Sequence, residues 1–573
     1  MTKREIAGVL KEIAFFLRLR EDNPYRARAY EQAGESLLLS RETLDELVSQ
    51  GLLTSVKGIG RGTASVITEL YSTGQSSLHR TVRGSYPSSL AQLGEVPGLT
   101  LAHIRRLYEQ GAIQSLSELQ AAVRENRLHS IKGIGPKGSN KIADSLGEFG
   151  RGQGYHLYGN VLSEAAALEG EMRSLKGVER VSMAGGLRRR LEVVNEFRMV
   201  IDIGGGPVAK LVRALRAIPD LSNIVQAGPH LVSALSPTGT PLCLVVASPE
   251  NYEFELLQAT GSSEHTEQLA ARLRERGLRN WDAVKTAVRG GSEAQIYEAA
   301  ALPYVEPELR EGRGELDLYE KRGSGWLLDP TDIQGTFHLH TVYSDGIGSV
   351  EEMVQEAQAR GYRYLGISDH SQSAHYANGL KEPRIREQWE EIRLVQRRFP
   401  AVHIFRGIEA DILPDGSMDY PDSLLAQFDF VIASVHSRFN LPEAEQTHRI
   451  CKALSNPYVT MLGHPTGRLL LSRPGYRFDM RRVVETASAH RKILEINGSR
   501  HRLDLDWRVV RWAKDLGVMF SINPDAHAPE EFRNVELALY VGRKGALHAG
   551  EVVNAKGVHD MKAFLTELRA NAA

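Results

Sequence analysis

Short apolar runs in the last third of this chain end repeatedly in a histidine or an acidic residue. Residues 364–368 lead to His370, and residues 403–408 lead to Glu409. Helical patterns separate the runs, and such an alternation of strand and helix is typical of an α/β barrel or sheet. Because the carboxyl ends of parallel strands meet at one mouth of a barrel, side chains far apart in sequence would converge there. The pattern predicts a parallel α/β domain from about Gly335 onward, with one polar site at its mouth.

The side chains at the ends of these runs have the chemistry of metal ligands. Imidazole nitrogens and carboxylate oxygens, without a thiolate, suit Mn²⁺ or Zn²⁺, with Fe²⁺ as a third candidate. On a strand, the spacing of His338 and His340 puts both imidazoles on one face. A single histidine at a strand end is usually incidental, but six runs that share the feature are hard to assign to chance. There are too many candidates for one ion, so we predict two or three divalent ions with a bridging carboxylate.

The same residues resemble the PHP (polymerase and histidinol phosphatase) family of phosphoesterases, from residue 335 to about residue 567. The resemblance implies a distorted seven-stranded β/α barrel, (β/α)7, that carries nine metal ligands. The matching residues, in chain order, are His338, His340, Asp345, His370, Glu409, His436, His464, Asp525 and His527. By the resemblance, Glu409 bridges two ions. The first ion is also held by His338, His340 and Asp525, the second by His436 and His464, and a third by Asp345, His370 and His527.

This ligand set predicts phosphoester hydrolysis. Divalent ions lower the pKa of bound water, which makes hydroxide available at neutral pH, and they neutralise phosphate charge. We expect Glu409, His436 and Asp525 to act at the reacting centre. Arg468, just after His464, is a candidate clamp for a phosphate oxygen, and its alternative is an ordinary surface arginine.

Composition excludes several other classes of protein. The 573 residues are too many for one core, and a net charge of −1 gives no global attraction to nucleic acid. Two cysteines, Cys243 and Cys451, exclude a disulfide framework and a cysteine-rich zinc module. The first residues are amphipathic and unlike a signal peptide, and no stretch approaches the ~18 apolar residues of a membrane span. We therefore expect a cytoplasmic, nucleoid-associated protein without a membrane partner.

Glycine-containing turns recur between predicted helices in the first ~150 residues. Gly58 and Gly60 form one turn, and Gly133 and Gly135 form another. Glycine allows the backbone N–H groups at a helix start to approach a phosphate, which binds DNA without reading its sequence. The turns look like helix-hairpin-helix motifs. The flanking Lys57 and Lys132 strengthen this interpretation, and Gly98 belongs to a third, more degenerate copy.

Residues 1–320 are similar to the family X DNA polymerases. The matching segments are residues 23–30, the two hairpins, residues 184–189 and residues 260–265. A family X polymerase joined to a PHP domain is the arrangement of the bacterial PolX family. The resemblance implies a multidomain chain with helical amino-terminal domains, an α+β nucleotidyltransferase-like palm and thumb, and the barrel. Its divisions would be a lyase-like domain (1–80), fingers (81–150), a degenerate palm (151–240), a thumb (241–320), a linker (321–334) and the PHP domain (335–573).

The polymerase pattern fails at its metal ligands. Family X palms hold two Mg²⁺ ions with an Asp-x-Asp pair on one strand and a third Asp on the next strand. Our alignment puts the pair at Glu196 and Arg198 and the third position at Leu242. An arginine would repel the ions, so we expect polymerase activity to be lost. Asp202 and Glu192 are nearby and are the alternative metal ligands.

Three further positions can be compared with the family, of which two are changed and one is kept. Gly186 stands where the family's nucleotide-binding turn has a serine, whereas Arg189 is kept. The lysine that performs lyase chemistry in the family aligns with Val66, which has no amine for a Schiff base.

Four functions remain to be compared. The main hypothesis is a metal-dependent 3′–5′ exonuclease in DNA repair, such as base excision repair, with a polymerase-like module that binds gapped, nicked or 3′-ended DNA. The second is an active gap-filling polymerase with an accessory nuclease. The third is a phosphatase of small metabolites, and the fourth is a non-catalytic DNA scaffold. The oligomeric state is taken as a monomer by default.

Overall fold

The computed structural model of the protein describes residues 1–40, 42–96, 99–152 and 154–570. The chain divides into two compact units. The first comprises Met1–Ser262, Leu269–Ala300 and Leu471–Arg473, and the second comprises Ser263–Gln268, Ala301–Leu470 and Pro474–Ala573. Among the described helices, none is both long enough and apolar enough to cross a membrane.

In its described residues, the first unit begins with nine α-helices that share one apolar core. Leu10, Ile67 and Leu107, from three different helices, are fully or almost fully buried in it. Polar side chains fix several helix starts, as where Thr2 and Glu5 form a capping box at the first helix. The helices are α1 (Lys3–Leu19), α2 (Pro24–Leu39), α3 (Leu44–Ser49), α4 (Arg61–Thr73), α5 (Ser77–Arg83), α6 (Leu90–Leu93), α7 (Leu101–Gly111), α8 (Leu116–Arg124) and α9 (Pro136–Gly152).

A small α+β region follows in the same unit. Its five-stranded sheet has the order β2-β4-β7-β6-β5, in which β4 and β7 are parallel neighbours and the other pairs are antiparallel. The elements are β1 (His156–Leu157), α10 (Tyr158–Ser174), β2 (Arg180–Met183), α11 (Gly185–Arg188), β3 (Val193–Val194), β4 (Phe197–Asp202), α12 (Val208–Leu215), β5 (Ser222–Gly228), β6 (Leu231–Leu235) and β7 (Pro241–Ala247). The helices after the sheet are α13 (Tyr252–Thr260), α14 (Ser263–Glu275), α15 (Trp281–Ala287) and α16 (Glu293–Ala299), of which α14 begins within the Ser263–Gln268 segment of the second unit. Helix α17 (Glu315–Arg322) belongs to the second unit.

The second unit is built on seven parallel strands in sequential order, β8 to β14. A bridge between Leu339 and Ala526 and a hydrogen bond from Phe337 N–H to Asn523 Oδ1 (3.3 Å) bring the two outer strands together, so the sheet is a nearly closed barrel. Its elements are β8 (Gly335–Leu339), α18 (Val350–Ala359), β9 (Tyr364–Ile367), α19 (Glu382–Arg398), β10 (His403–Asp411), α20 (Asp422–Leu425), β11 (Phe430–Ser434), α21 (Glu443–Leu454), β12 (Met461–Leu462), α22 (Met480–Ala489), β13 (Ile493–Asn497), α23 (Trp507–Ala513), β14 (Met519–Asn523), α24 (Asn534–Lys544) and α25 (Val558–Ala570).

Aromatic side chains fill one end of the barrel. The Phe337 ring lies 4.9 Å from the Phe430 ring and 5.8 Å from the Phe405 ring, measured between centroids. Gly366 and Gly407 make room for them, since a Cβ at Gly407 would lie 2.1 Å from the Phe430 ring. The polar site is therefore confined to the opposite end, where the strands terminate.

Residues 321–334, which the sequence presents as a linker, are packed against the barrel. Leu328 is fully buried, and its N–H donates to the Leu547 carbonyl (2.9 Å). Gln334 N–H donates in the same way to the Asn554 carbonyl (2.9 Å). This stretch belongs to the second unit and is packed, not free. Its polar composition suggested a linker, but its few apolar residues contact the barrel.

Candidate metal centre

The structure brings all nine predicted ligands to the carboxyl-terminal mouth of the barrel. Most of them lie in the loop directly after a strand, and Glu409 lies within β10. The positions are His338 and His340 at the end of β8, Asp345 in the next loop, His370 after β9, Glu409 on β10, His436 after β11, His464 after β12, and Asp525 and His527 after β14.

The Glu409 carboxylate is the centre of the cluster and is 1% exposed. Its Oε1 atom lies 2.9 Å from His464 Nε2 and 3.2 Å from His436 Nε2. Its Oε2 atom lies 2.9 Å from His370 Nδ1. The two oxygens therefore face different imidazoles, which is the arrangement that a bridging carboxylate requires.

Two further carboxylates face the remaining histidines. Asp525 Oδ1 lies 3.4 Å from His340 Nε2 and 3.5 Å from His338 Nε2. Asp345 Oδ1 lies 3.4 Å from His527 Nε2 and 3.7 Å from His370 Nε2. Two ligand atoms that each lie ~2.1 Å from one tetrahedral ion are about 3.4 Å apart, so these spacings fit shared coordination.

The buried donor atoms of the cluster fit bound cations for a second reason. Within the described part of the chain, several have no hydrogen-bond partner: His338 Nε2, His340 Nδ1 and Nε2, His370 Nδ1, Glu409 Oε2 and His464 Nδ1. Buried polar atoms are almost always satisfied in folded proteins, and each orphan costs free energy. Divalent ions among these atoms would give them partners.

The surroundings of His340 and Glu409 favour a neutral imidazole and an ionised carboxylate, the protonation states that coordinate metal. Burial and the neighbouring imidazoles of His527 and His370 lower the pKa of His340 to about 3, which keeps the ring neutral and leaves one nitrogen with a free lone pair for a metal. Burial alone would raise the pKa of Glu409. The surrounding imidazoles of His370, His338 and His436 outweigh burial and hold it well below its ordinary value, so the carboxylate is ionised.

The backbone is unusual where it presents the ligands. His338, His464 and Asp525 have positive φ angles of 62°, 24° and 53°. Such angles are uncommon for residues with a Cβ and concentrate at functional sites. The pairing of β8 with β9 also shifts in register between Thr336 and Leu339, so His338 and His340 converge through an irregularity and not through simple strand alternation.

Sequence reasoning missed the carboxylates that orient the ligands. Glu495 Oε1 lies 2.5 Å from His338 Nδ1, and Asp411 Oδ1 lies 2.5 Å from His436 Nδ1. Such contacts fix the tautomer and the ring orientation of a metal-binding histidine. The signal in the sequence was an acidic residue inside an apolar strand, as at Glu495 in β13.

Arg468, the predicted phosphate clamp, is engaged by a neighbouring loop. Its Nε–H donates to the Arg502 carbonyl (2.9 Å), and its Nη1–H donates to Asp506 Oδ2 (2.7 Å). Its Nη2–H donates to the Leu503 carbonyl, so all three guanidinium nitrogens are engaged by residues 502–506 and the clamp stays a prediction. Arg502 is the arginine that lies nearby, with its Nε 3.6 Å from Asp525 Oδ2.

The predicted polymerase positions lie on the sheet of the first unit. Glu196 and Arg198 form an ion pair with each other (2.7 Å). Leu242 pairs with Phe197 and is buried, whereas Cys243 pairs with Arg198, so the residue beside Arg198 on that face is Cys243. Asp202 is 2% exposed and is bound by Arg180 (3.2 Å). Among the described residues, the groups of three or more potential metal ligands all lie in the barrel.

The positions of the family's nucleotide-binding turn and of its lyase lysine lie in helices or directly beside them. Gly186 lies in α11, and Arg189 after it donates to the Thr260 carbonyl (2.6 Å). Val66 is buried in α4, so this position offers the helix core an alkyl group and no amine.

The two predicted DNA-binding turns have the same backbone form. Gly58 and Gly133 have positive φ angles of 98° and 87°, and a Cβ at Gly58 would lie 2.4 Å from Ser36 Oγ. Gly60 and Gly135 each have open space where a Cβ would be, and each directly precedes a helix, α4 or α9. Lys57 and Lys132 are exposed beside the turns. Gly98 lies outside the described residues.

Comparison with known proteins agrees with this arrangement. Residues 1–76 match the family model of a helix-hairpin-helix domain, residues 90–148 that of a SAM-like helix-hairpin-helix tandem, and residues 336–499 that of the PHP domain. The chain is 33% identical to the "DNA polymerase/3'-5' exonuclease PolX" of Bacillus subtilis (strain 168), over 99% of both chains. The chain belongs to the PolX family. Membership confirms the predicted order of helix-hairpin-helix domains followed by a PHP barrel.

Other relatives resemble only the barrel of this PolX family member. A protein of Thermoanaerobacter sp. (strain X514) named as a probable phosphatase is 28% identical over 40% of this chain and 93% of its own length. A second probable phosphatase, from Caldicellulosiruptor saccharolyticus, is 32% identical over 33% of this chain and 78% of its own length. The barrel is thus also found without the amino-terminal unit of the PolX family.

The contact between Glu495 and His338 predicts weaker metal binding when the charge is removed. In Glu495→Gln the side chain keeps its size but loses the carboxylate that holds His338 Nδ1, and loss of such a partner typically costs 10–100-fold in metal affinity. Titration of the full-length chain with Mn²⁺ by isothermal calorimetry measures the change. Glu485→Gln, an exposed glutamate on α22, is the control and should bind as the unaltered chain does. Equal affinities of the two variants would contradict the positioning role of Glu495.

Proposed function

We propose that this chain is a 3′–5′ exonuclease of DNA repair, with base excision repair as the implied pathway, and that its chemistry is in the barrel. The observation that carries the proposal is the convergence of nine imidazole and carboxylate side chains in one pocket. It is supported by the full-length relative that is named a DNA polymerase/3′–5′ exonuclease.

In this proposal the nine residues hold two or three divalent ions, Mn²⁺ or Zn²⁺, with Fe²⁺ as a third candidate. When bound, such ions lower the pKa of water and neutralise the charge of a phosphodiester. The chain's own part is to keep Glu409 ionised and bridging, and to hold His338 and His436 in fixed tautomers through Glu495 and Asp411. The nearby Arg502 guanidinium is a candidate, besides Arg468, for the group that orients the phosphate.

Exposed apolar side chains around the mouth favour a nucleic-acid end over a small metabolite. Tyr376 is 70% exposed, and its ring centroid lies 6.0 Å from the His370 ring and 6.3 Å from the His436 ring. Ile347 is 67% exposed in the loop that carries Asp345. A nucleobase of any kind can stack on an exposed aromatic ring such as that of Tyr376, which suits an enzyme that shortens DNA from its end. The metabolite phosphatase remains the third candidate.

The first unit supplies DNA binding in the proposal. Gly60 caps α4 and has no side chain to occupy the N–H groups of the first helical turn, so these groups are suited to a phosphate. The substrate would be gapped, nicked or 3′-ended DNA, which places the activity at the nucleoid in the cytoplasm. The six-part division given by the resemblance is retained within this proposal, with the correction that residues 321–334 pack on the barrel.

Loss of polymerase activity is the second part of the proposal. Arg198 stands where the family has a metal ligand and is paired to Glu196, the one carboxylate left in the pair. Asp202, the alternative ligand, is engaged by Arg180. An active gap-filling polymerase is the competing function, and it is favoured by the name of the full-length relative.

Replacement of the bridging carboxylate tests the exonuclease. With Mn²⁺ and a 3′-labelled oligonucleotide, we expect Glu409→Ala to be slower by at least about a hundredfold. The reason is that a shared ligand contributes no less than the 10–100-fold assigned to outer-shell partners. Gel-shift binding of the same DNA should be unchanged, and Glu485→Ala should keep full activity. Unchanged degradation by Glu409→Ala would remove the hypothesis, and a preference for p-nitrophenyl phosphate over DNA would favour the metabolite phosphatase.

A paired assay on one gapped duplex separates the nuclease from the polymerase. Because Arg198 and the engaged Asp202 leave the palm without a ligand set, we expect the primer to shorten and no dNTP-dependent extension to appear. The assay is repeated with Glu409→Ala, in which degradation is removed and weak extension would become visible. Extension that is abolished by Glu196→Gln or Asp202→Asn would show that the palm is active.

A further inference from the structure

A cleft of about 700 Å³ lies at the end of the barrel opposite to the metal cluster. Its wall includes His403, the first residue of β10, and Asp429, the residue before β11. Glu409 lies six residues further along β10 than His403, which is about 20 Å at ~3.3 Å per residue. The cleft is therefore separate from the site of the proposed exonuclease.

The cleft contains a guanidinium edge that is buried and has no partner. Arg569 donates from Nη1 to the Ala426 carbonyl (3.3 Å). Its Nε and Nη2 atoms are buried, and within the described chain neither has a hydrogen-bond partner. These two N–H groups form the side-on fork that binds two oxygens of one phosphate or carboxylate. Burial also lowers the pKa of Arg569, which shows that desolvation of this cation is not fully compensated.

The charge around the fork favours an anion. Five cationic side chains line the cleft, namely Arg386, Arg393, Arg406, Lys562 and Arg569, and they face two carboxylates, Glu390 and Asp429. Arg393 is paired to Glu390 (2.9 Å), and Arg406 is paired to Asp429 (3.3 Å). The two carboxylates are thus engaged by other arginines, and neither is hydrogen-bonded to the Arg569 fork.

Other side chains restrict the kind of anion. The guanidinium groups of Arg386 (4.8 Å) and Arg406 (5.0 Å) lie over the Trp389 ring and compete with a nucleobase for it. The Nε1–H of Trp389 is buried and, in the described chain, has no acceptor. Burial and the nearby Lys562 lower the pKa of His403 to about 4, so at neutral pH this ring adds no charge and offers a neutral N–H. The cleft offers many donors and little stacking.

We infer that this cleft is a second site, which binds a phosphate group through the Arg569 fork. Phosphate is favoured over carboxylate because the excess of cations over carboxylates in the cleft exceeds one charge. The phosphate comes either from a small anion, such as pyrophosphate or a nucleotide, or from the backbone of DNA.

Fluorescence of Trp389 reports occupancy of this site in the full-length, metal-loaded chain. Inorganic pyrophosphate is the probe, and Trp389→Phe shows which part of the signal arises in the cleft. We expect a saturable change whose dissociation constant rises at least tenfold in Arg569→Gln. Arg481→Gln removes the same charge from an exposed arginine on α22 and should leave binding unchanged. Lys562→Gln changes an exposed side chain of the cleft and should weaken pyrophosphate binding by a smaller factor. This second variant keeps the test valid if the Arg569 variant misfolds.

Competition identifies the source of the phosphate. Displacement of pyrophosphate by dAMP but not by deoxyadenosine supports the site and a small anion. Displacement by a single-stranded oligonucleotide, lost in Arg569→Gln, supports the site and a DNA backbone. The inference is overturned if no saturable change occurs, if Arg569→Gln and Lys562→Gln both bind as tightly as the unaltered chain, or if deoxyadenosine competes as well as dAMP.

Discussion

An ionised carboxylate buried among imidazoles is the constraint on which the barrel depends. Glu409 is 1% exposed and is approached by three histidines at 2.9–3.2 Å. Burial of an uncompensated charge costs many kcal/mol, so such a group persists only with partners of opposite charge. Protonated imidazoles offset part of that cost, and cations would offset it more completely while giving partners to the orphaned nitrogens. The strained backbone at His338, His464 and Asp525 is understandable as a consequence, because each brings a ligand to this carboxylate.

The rest of the barrel separates this polar mouth from an apolar end. Phenylalanine rings that occupy the space left by Gly366 and Gly407 fill the interior at the amino ends of the strands. The carboxylates of Glu495 and Asp411 contact the Nδ1 atoms of His338 and His436 and fix the orientation of these two rings. The two compact units thus carry different parts of the proposed function, since the phosphate-binding turns lie in one and the ligand cluster lies in the other.

The convergence of the nine side chains was predictable from the sequence, whereas many of the contacts that hold them in place were not. The carboxyl ends of parallel strands meet at one mouth of a barrel. The position of residues such as His370, His436 and His464 after an apolar run therefore predicted that they would converge. The contact of Glu495 with His338 was not predicted, because the residues around an acidic side chain in a strand do not show what that side chain contacts. The partners of Arg468, the carbonyl of Arg502 and the carboxylate of Asp506, could not be foreseen, because they come from a loop that is distant in sequence. In the sheet of the first unit, Leu242 pairs with Phe197 and Cys243 pairs with Arg198, so Leu242 lies on the opposite strand face from Arg198, which the sequence alone could not show.

The number of metal ions bound per chain is the most direct test of the central claim, which is that these nine side chains bind a cluster of cations. The full-length chain is loaded with Mn²⁺ or Zn²⁺, passed over a desalting column to remove free ions, and analysed by inductively coupled plasma mass spectrometry. The account predicts two or three ions per chain. Fewer than one ion per chain, under conditions in which the protein is folded, would contradict it.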